Sequence, residues 1–304
     1  MNVQNLLNEI EKVDPEVYDR LDTRRGAMRR FSFLGKTLAL AAVPAALGTM
    51  FKKAYGQTAN TQLIRDTLNF ALTLEYLEAE FYKKVVDNFT QINVPTGAPR
   101  TALTLIRDHE VAHVAFLRQT ISNLNGTPVT LTAANFDFSG GSGPGGPGNG
   151  NGPFAAAFTN YAVMLAVSQT FEDTGVRAYK GQAGNLMENN DVLTAALQIH
   201  SVEARHAAHI RYMRRNMPAP SLIPAGQTLQ PWITMNQSGI DTMNAGANAA
   251  IQKSYNGEDV VTQATVPIAG TFGGITISAN EASEAFDEPL TKEQVLDIVD
   301  PFII

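Results

Sequence analysis

Residues 74–82 read LEYLEAEFY and residues 171–179 read FEDTGVRAY, and the direction in which their acids face decides the fold. Successive residues of an α-helix turn by about 100°, so positions seven apart lie almost in line. On a helix through the first stretch, Glu75 lines up with Ile64, Leu68, Tyr82 and Val86. A solvent-facing acid would line up with Arg65, Asp66, Lys83 and Lys84 instead, so Glu75 belongs to the apolar stripe. In the second stretch Glu172 shares its line with Tyr161, Leu165 and Tyr179. Both stretches thus carry a core-facing acid followed seven residues later by a tyrosine.

Working outward, residues 61–88 hold good helix formers in helical period without Gly or Pro, until Pro95, Gly97 and Pro99. A second helix is predicted over 101–123, stopped by Asn125, Gly126 and Pro128. Residues 139–153, SGGSGPGGPGNGNGP, are too rich in Gly and Pro for regular structure. A third helix is predicted over 154–180, ended by Gly181 and Gly184, and a fourth over 191–216, before Pro218 and Pro220. Short loops join the first pair and the last pair, and the crossover at 124–153 can travel the length of a bundle. Beyond residue 218 the pattern changes. Val, Thr and Ile alternate over 258–278 around Gly270 and Gly273-Gly274, which suggests a hairpin or an irregular β piece. A final helix is expected over 291–300, with Thr291 at its start and Glu293 in its first turn.

The second and fourth helices repeat the placement of acids. Glu110 aligns with Leu103, Leu117 and Ile121, with His113 on the same face. Glu203 aligns with Val192, Ala196 and Ile210, with His206 three positions on. Each helix therefore aims one carboxylate into the core. An ionised carboxylate buried without a partner costs several kcal/mol, on the order of what a whole domain can spare. Four together would repel, whereas two divalent cations balance four carboxylates and two neutral imidazoles. Glu75, Glu110, His113, Glu172, Glu203 and His206 are the candidate metal ligands, with Glu-x-x-His spacing on two helices. A buried polar network without metal is the competing reading. Tyr82 and Tyr179 are placed to donate to ligating carboxylates. Glu78 also faces the core and can assist Glu75, but its counterpart in the second half is Gly175. Arg107 and His200 occupy matching places and are candidate supports, while His109 and His209 read as packing or surface residues.

Composition narrows the chemistry. The chain has 304 residues, 17% of them charged, a net charge of -6 and no cysteine. That rules out disulfides, thiolate catalysis and iron–sulfur clusters, and it argues against nucleic acid as a partner. Carboxylate and imidazole ligands suit Fe or Mn, and Zn as well. Near the N-terminus, Arg24-Arg25 and Arg29-Arg30 precede a mildly apolar run at 37–51, shorter than the roughly 20 residues that a membrane span needs. Ala54-Tyr55-Gly56 offers a small-residue cleavage point. RRFSFL, residues 29–34, resembles the twin-arginine export signal, so 1–56 is expected to direct a folded protein to the periplasm or beyond.

LEYLEAEFY, DHEVAHVAFL, FEDTGVRAY and HSVEARHAAHIR resemble the four helices of the ferritin-like domain proteins, a group that includes the desiccation-related proteins and exported bacterial homologues. A weaker likeness continues in SYNGEDVVTQ and AFDEPLTKEQVLDIVDPFI. The resemblance implies an all-α, ferritin-like four-helix bundle over 57–217 with one long crossover, followed by an extension at 218–304. It implies ligation by the six residues named above. It does not fix a reaction, since the wider group spans iron storage, oxygen activation and peroxide removal. Two functional readings follow. One is a di-iron or di-manganese oxidoreductase acting on peroxide or oxygen in stress protection. The other is a non-catalytic metal-binding or protective protein, in which the extension serves partners or homo-oligomer assembly.

Overall fold

The computed structural model describes residues 60–142, 148–218, 222–263, 265–272 and 274–304. The twin-arginine-like segment lies outside them. Helix α1 (Thr61–Asp87) starts where the Asn60 side chain accepts from the Leu63 N–H. A four-residue helix, α2 (Phe89–Ile92), and Asn93 in the left-handed region turn the chain into α3 (Ala98–Asn123). This helix begins before the expected residue 101, because Pro99 sits in the first turn, where a missing N–H costs nothing.

The third long helix, α4 (Tyr161–Gln182), starts later than the sequence suggests. Residues Ala155–Phe158 form a separate 3-10 turn, and the extended backbone at Asn160 divides the two. The Asn160 side chain then caps α4 through the Ala162 and Val163 N–H groups. Helix α5 (Asn190–Arg215) is capped by Asn189 in the same way. Helix α1 lies along α3 and α4 along α5, and the two hairpins meet through α1 with α4 and α3 with α5. This is a four-helix bundle with one crossover. No helix among the described residues is long and apolar enough to cross a membrane.

Helix α4 departs from simple amphipathicity, since every residue from Met164 to Tyr179 is buried. One face meets the bundle core and the C-terminal extension covers the rest. The extension holds α6 (Ala245–Lys253), the hairpins β1 (Thr262–Gln263) with β2 (Val266–Pro267) and β3 (Gly270–Phe272) with β4 (Ile275–Ile277), then α7 (Ala279–Ser283) and α8 (Lys292–Val299). The Thr291 cap of α8 is completed by Gln294.

Buried polar side chains on the outer faces of α4 and α5 attach this layer. Arg177 donates to the carbonyls of Glu288 (2.7 Å), Ser254 (2.6 Å) and Asn256 (2.9 Å), and pairs with Glu258 at 2.5 Å. Arg214 reaches the carbonyls of Gly239 (2.8 Å) and Leu222 (3.2 Å). Asp173 accepts from Arg211 and from the Tyr255 hydroxyl. At Gly181 any Cβ would lie 1.9 Å from the Leu290 carbonyl oxygen, so only glycine lets that segment rest on the end of α4. The crossover is held by Asp137, which accepts from the backbone N–H groups of Ser139, Asn149 and Gly150. Its aromatic rings Phe138 and Phe158 pack on Phe81 of α1.

Arg177→Ala removes three bonds to main-chain carbonyls and strands Glu258 in the interior. The expected loss is about 3–5 kcal/mol in a urea titration. Limited proteolysis should cut the segment after residue 222 before the bundle; cleavage that starts in the bundle would contradict this attachment.

Candidate metal centre

The four long helices bring the six candidate ligands to one place. Glu75, Glu110 and His113 gather with Glu203, and Glu110, Glu203 and His206 gather with Glu172. Within each set one ligand atom per residue lies within 4.8 Å of all the others. Glu110 and Glu203 belong to both sets, and Glu75 and Glu172 to one each. His113 Nδ1 stands 3.1 Å from Glu75, 3.2 Å from Glu110 and 3.0 Å from Glu203. His206 Nδ1 stands 2.9 Å from Glu110, 3.2 Å from Glu172 and 3.3 Å from Glu203.

All four carboxylates are at 0% exposure. Glu110 Oε1 and both oxygens of Glu203 nonetheless have no hydrogen-bond partner among the described residues. The imidazole nitrogens come close to them without the alignment of a hydrogen bond. Buried anionic oxygens left this way are costly, and oxygen ligation of a cation removes the cost. The donor set of carboxylates and imidazoles fits divalent Fe, Mn or Zn.

The tyrosines act crosswise. Tyr82 of α1 donates to Glu172 of α4 at 2.5 Å, and Tyr179 of α4 donates to Glu75 of α1. Seven residues of helix rise about 10 Å, so neither hydroxyl reaches the acid on its own helix, but each reaches across the bundle. The bonds fix the outer carboxylates in orientation.

Among the remaining candidates, Glu78 is buried at the edge of the cluster, against Gly175. Arg107 instead donates to Asp108, and His200 Nδ1 meets the Val176 carbonyl at 2.9 Å, so neither touches the cluster. His109, read from sequence as packing or surface, lies 2.9 Å through Nδ1 from His206 Nε2, with the rings stacked. It holds the far nitrogen of that imidazole and so sets its tautomer and plane. Its position four residues before His113 was the available signal, but the matching place in the second half is Val202. His209 packs against Tyr212.

The metal-free electrostatics agree with a cation site. Burial pushes Glu75 up to about 8 against the pull of His113, and Glu172 is raised likewise against His206. Burial alone would lower both imidazoles, yet the surrounding carboxylates raise His113 and His206 well above their ordinary value. Burial would raise Glu110 and Glu203, but the two histidines hold them low. Protons on the imidazoles and outer glutamates thus do in the metal-free protein what a cation does better.

A ferritin-like domain family model matches residues 65–216, half of the chain and the span that contains all six candidate ligands. The chain belongs to the ferritin-like domain family. This ferritin-like chain has no match among curated proteins.

Cations must displace the protons held by the raised groups, so affinity for a divalent ion is expected to rise from pH 6 to at least pH 8. Calorimetry in two buffers of different ionisation enthalpy should show proton release; uptake without release would contradict this electrostatic balance. In the metal-free protein the stabilising proton on Glu75 is present in full below 4.5 and lost by about 8. Melting temperature should therefore fall over that window, and the fall should shrink once metal is bound.

Proposed function

We propose that this ferritin-like chain binds two divalent metal ions, iron or manganese, and uses them for redox chemistry with peroxide or oxygen in stress protection. The observation that carries the reading is the pair of overlapping candidate ligand sets that share Glu110 and Glu203, in a core with carboxylate oxygens unpartnered among the described residues. Glu75 with His113 would complete one ion, and Glu172 with His206 the other. Bound there, such a pair supplies two one-electron equivalents to a small oxidant.

The chain's own residues prepare this chemistry. Tyr82 and Tyr179 hold the outer carboxylates, His109 holds His206, and the packed core excludes bulk water. Two clefts approach the cluster, one beside Tyr179 of about 20 Å³ and one beside Glu78 of about 10 Å³. A single water needs about 10–15 Å³, so such clefts favour reactants as small as dioxygen or hydrogen peroxide over organic substrates. The same tightness suits the second reading, a protein that holds metal without turnover. Resemblance to the desiccation-related proteins and the twin-arginine-like segment support a protective role outside the cytoplasm, since this route carries proteins already folded and loaded with metal.

Metal analysis of protein expressed in iron- and manganese-replete medium is expected to give close to two ions per chain, and none would sink both readings. Peroxide or oxygen consumption that disappears in Glu110→Ala supports the enzyme, while binding without consumption leaves the sequestering protein. For export, replacing Arg29 and Arg30 together by Lys should retain the protein in the cytoplasm; unchanged fractionation would remove the export reading.

A further inference from the structure

The cluster is nearly two-fold in its ligands but not in what surrounds them. Glu78 follows Glu75 by three residues on α1, and the residue three after Glu172 on α4 is Gly175. One half of the centre therefore carries a fifth buried carboxylate where the other half carries no side chain at all. The two positions face each other. A Cβ at Gly175 would lie 3.3 Å from Glu78 Oε1 and 3.8 Å from Glu203 Cγ. Glu78 of α1 thus reaches across the bundle to α4, where the Gly175 position adjoins the shared residue Glu203.

Glu78 is buried, at 4% exposure. It lines the cleft of about 10 Å³, whose other walls are apolar apart from Thr174: Leu74, Leu77, Phe171, Gly175 and Val299. Val299 is the last residue of α8, in the C-terminal extension. The chain around α8 is tied down on both sides. The Leu290 N–H donates to the Arg177 carbonyl, and beyond the helix Pro301 and Phe302 accept from Ser142 and Asp137 of the crossover. Val299 therefore stays in place and sets the bore of the cleft.

We propose that the gap between Glu78 and Gly175 is the port by which divalent cations reach the centre, with Glu78 as the transit carboxylate and Val299 as the collar. The inference rests on the metal-binding reading above. A cation shedding water in an apolar neck needs an anionic oxygen to replace the lost hydration. Glu78 is the acid placed there, and the missing side chain at Gly175 leaves the cation room to pass from it to Glu203.

The test is the rate of Co²⁺ uptake by the full chain, followed in stopped flow by its d–d absorption, with metal content measured at equilibrium. Val299→Ala should load several-fold faster and Val299→Phe at least tenfold slower, both reaching the wild-type content. Glu78→Gln, which keeps shape and removes charge, should load about tenfold slower. Rates unchanged in the Val299→Ala and Glu78→Gln variants would overturn the port. So would Glu78→Gln losing a metal equivalent at equilibrium while loading at the wild-type rate, since Glu78 would then be a ligand. A wild-type chain that takes up no Co²⁺ would remove the metal-binding reading and the port with it. Full uptake at rates indifferent to these changes removes the port alone.

Discussion

The structure is organised by the mutual repulsion of four carboxylates enclosed in a packed interior. Each long helix contributes one of them, at 0% exposure, and the helices cannot separate without breaking the core around them. Protons or cations must therefore accompany the acids in every folded state. The two histidines, the crosswise tyrosines and the sharing of Glu110 and Glu203 are different answers to that one constraint.

The chemistry of the two halves repeats, but their surroundings do not. His206 is backed by His109, whereas the equivalent position next to His113 falls to Val202. Glu78 stands opposite Gly175. Approximate symmetry thus assembles the carboxylate and histidine cluster, and local departures from it give the two halves different neighbours.

Much of this was legible along single helices. Alignment at seven-residue spacing placed Glu75, Glu110, Glu172 and Glu203 in apolar stripes, and all four are buried together. Contacts between helices were harder to read. The tyrosines were recognised as donors, but a one-dimensional repeat does not show that each serves the opposite half. Arg107 and His200 share a position three before a ligand, yet both lie away from the cluster. Helical side chains tilt toward the helix N-terminus, so residues one turn before a ligand lean away from it, while His113 and His206, one turn after, lean back toward it. The start of α4 was misplaced because Phe154 to Phe158 has helical composition, and only the Asn160 cap separates it from the helix. His109 escaped notice because its role has no counterpart in the other half.

The extension was the least legible part, and the reason has a consequence of its own. Arg177 and Arg214 grip main-chain oxygens of Ser254, Asn256, Glu288, Gly239 and Leu222 rather than their side chains. An anchor of that sort is blind to the identity of the residues it holds. Those five positions can accordingly vary while the layer stays seated, whereas Tyr255 and Glu258, held through their own side chains, cannot. Variation in this layer would then alter the outer surface of the protein while leaving the interior chemistry alone.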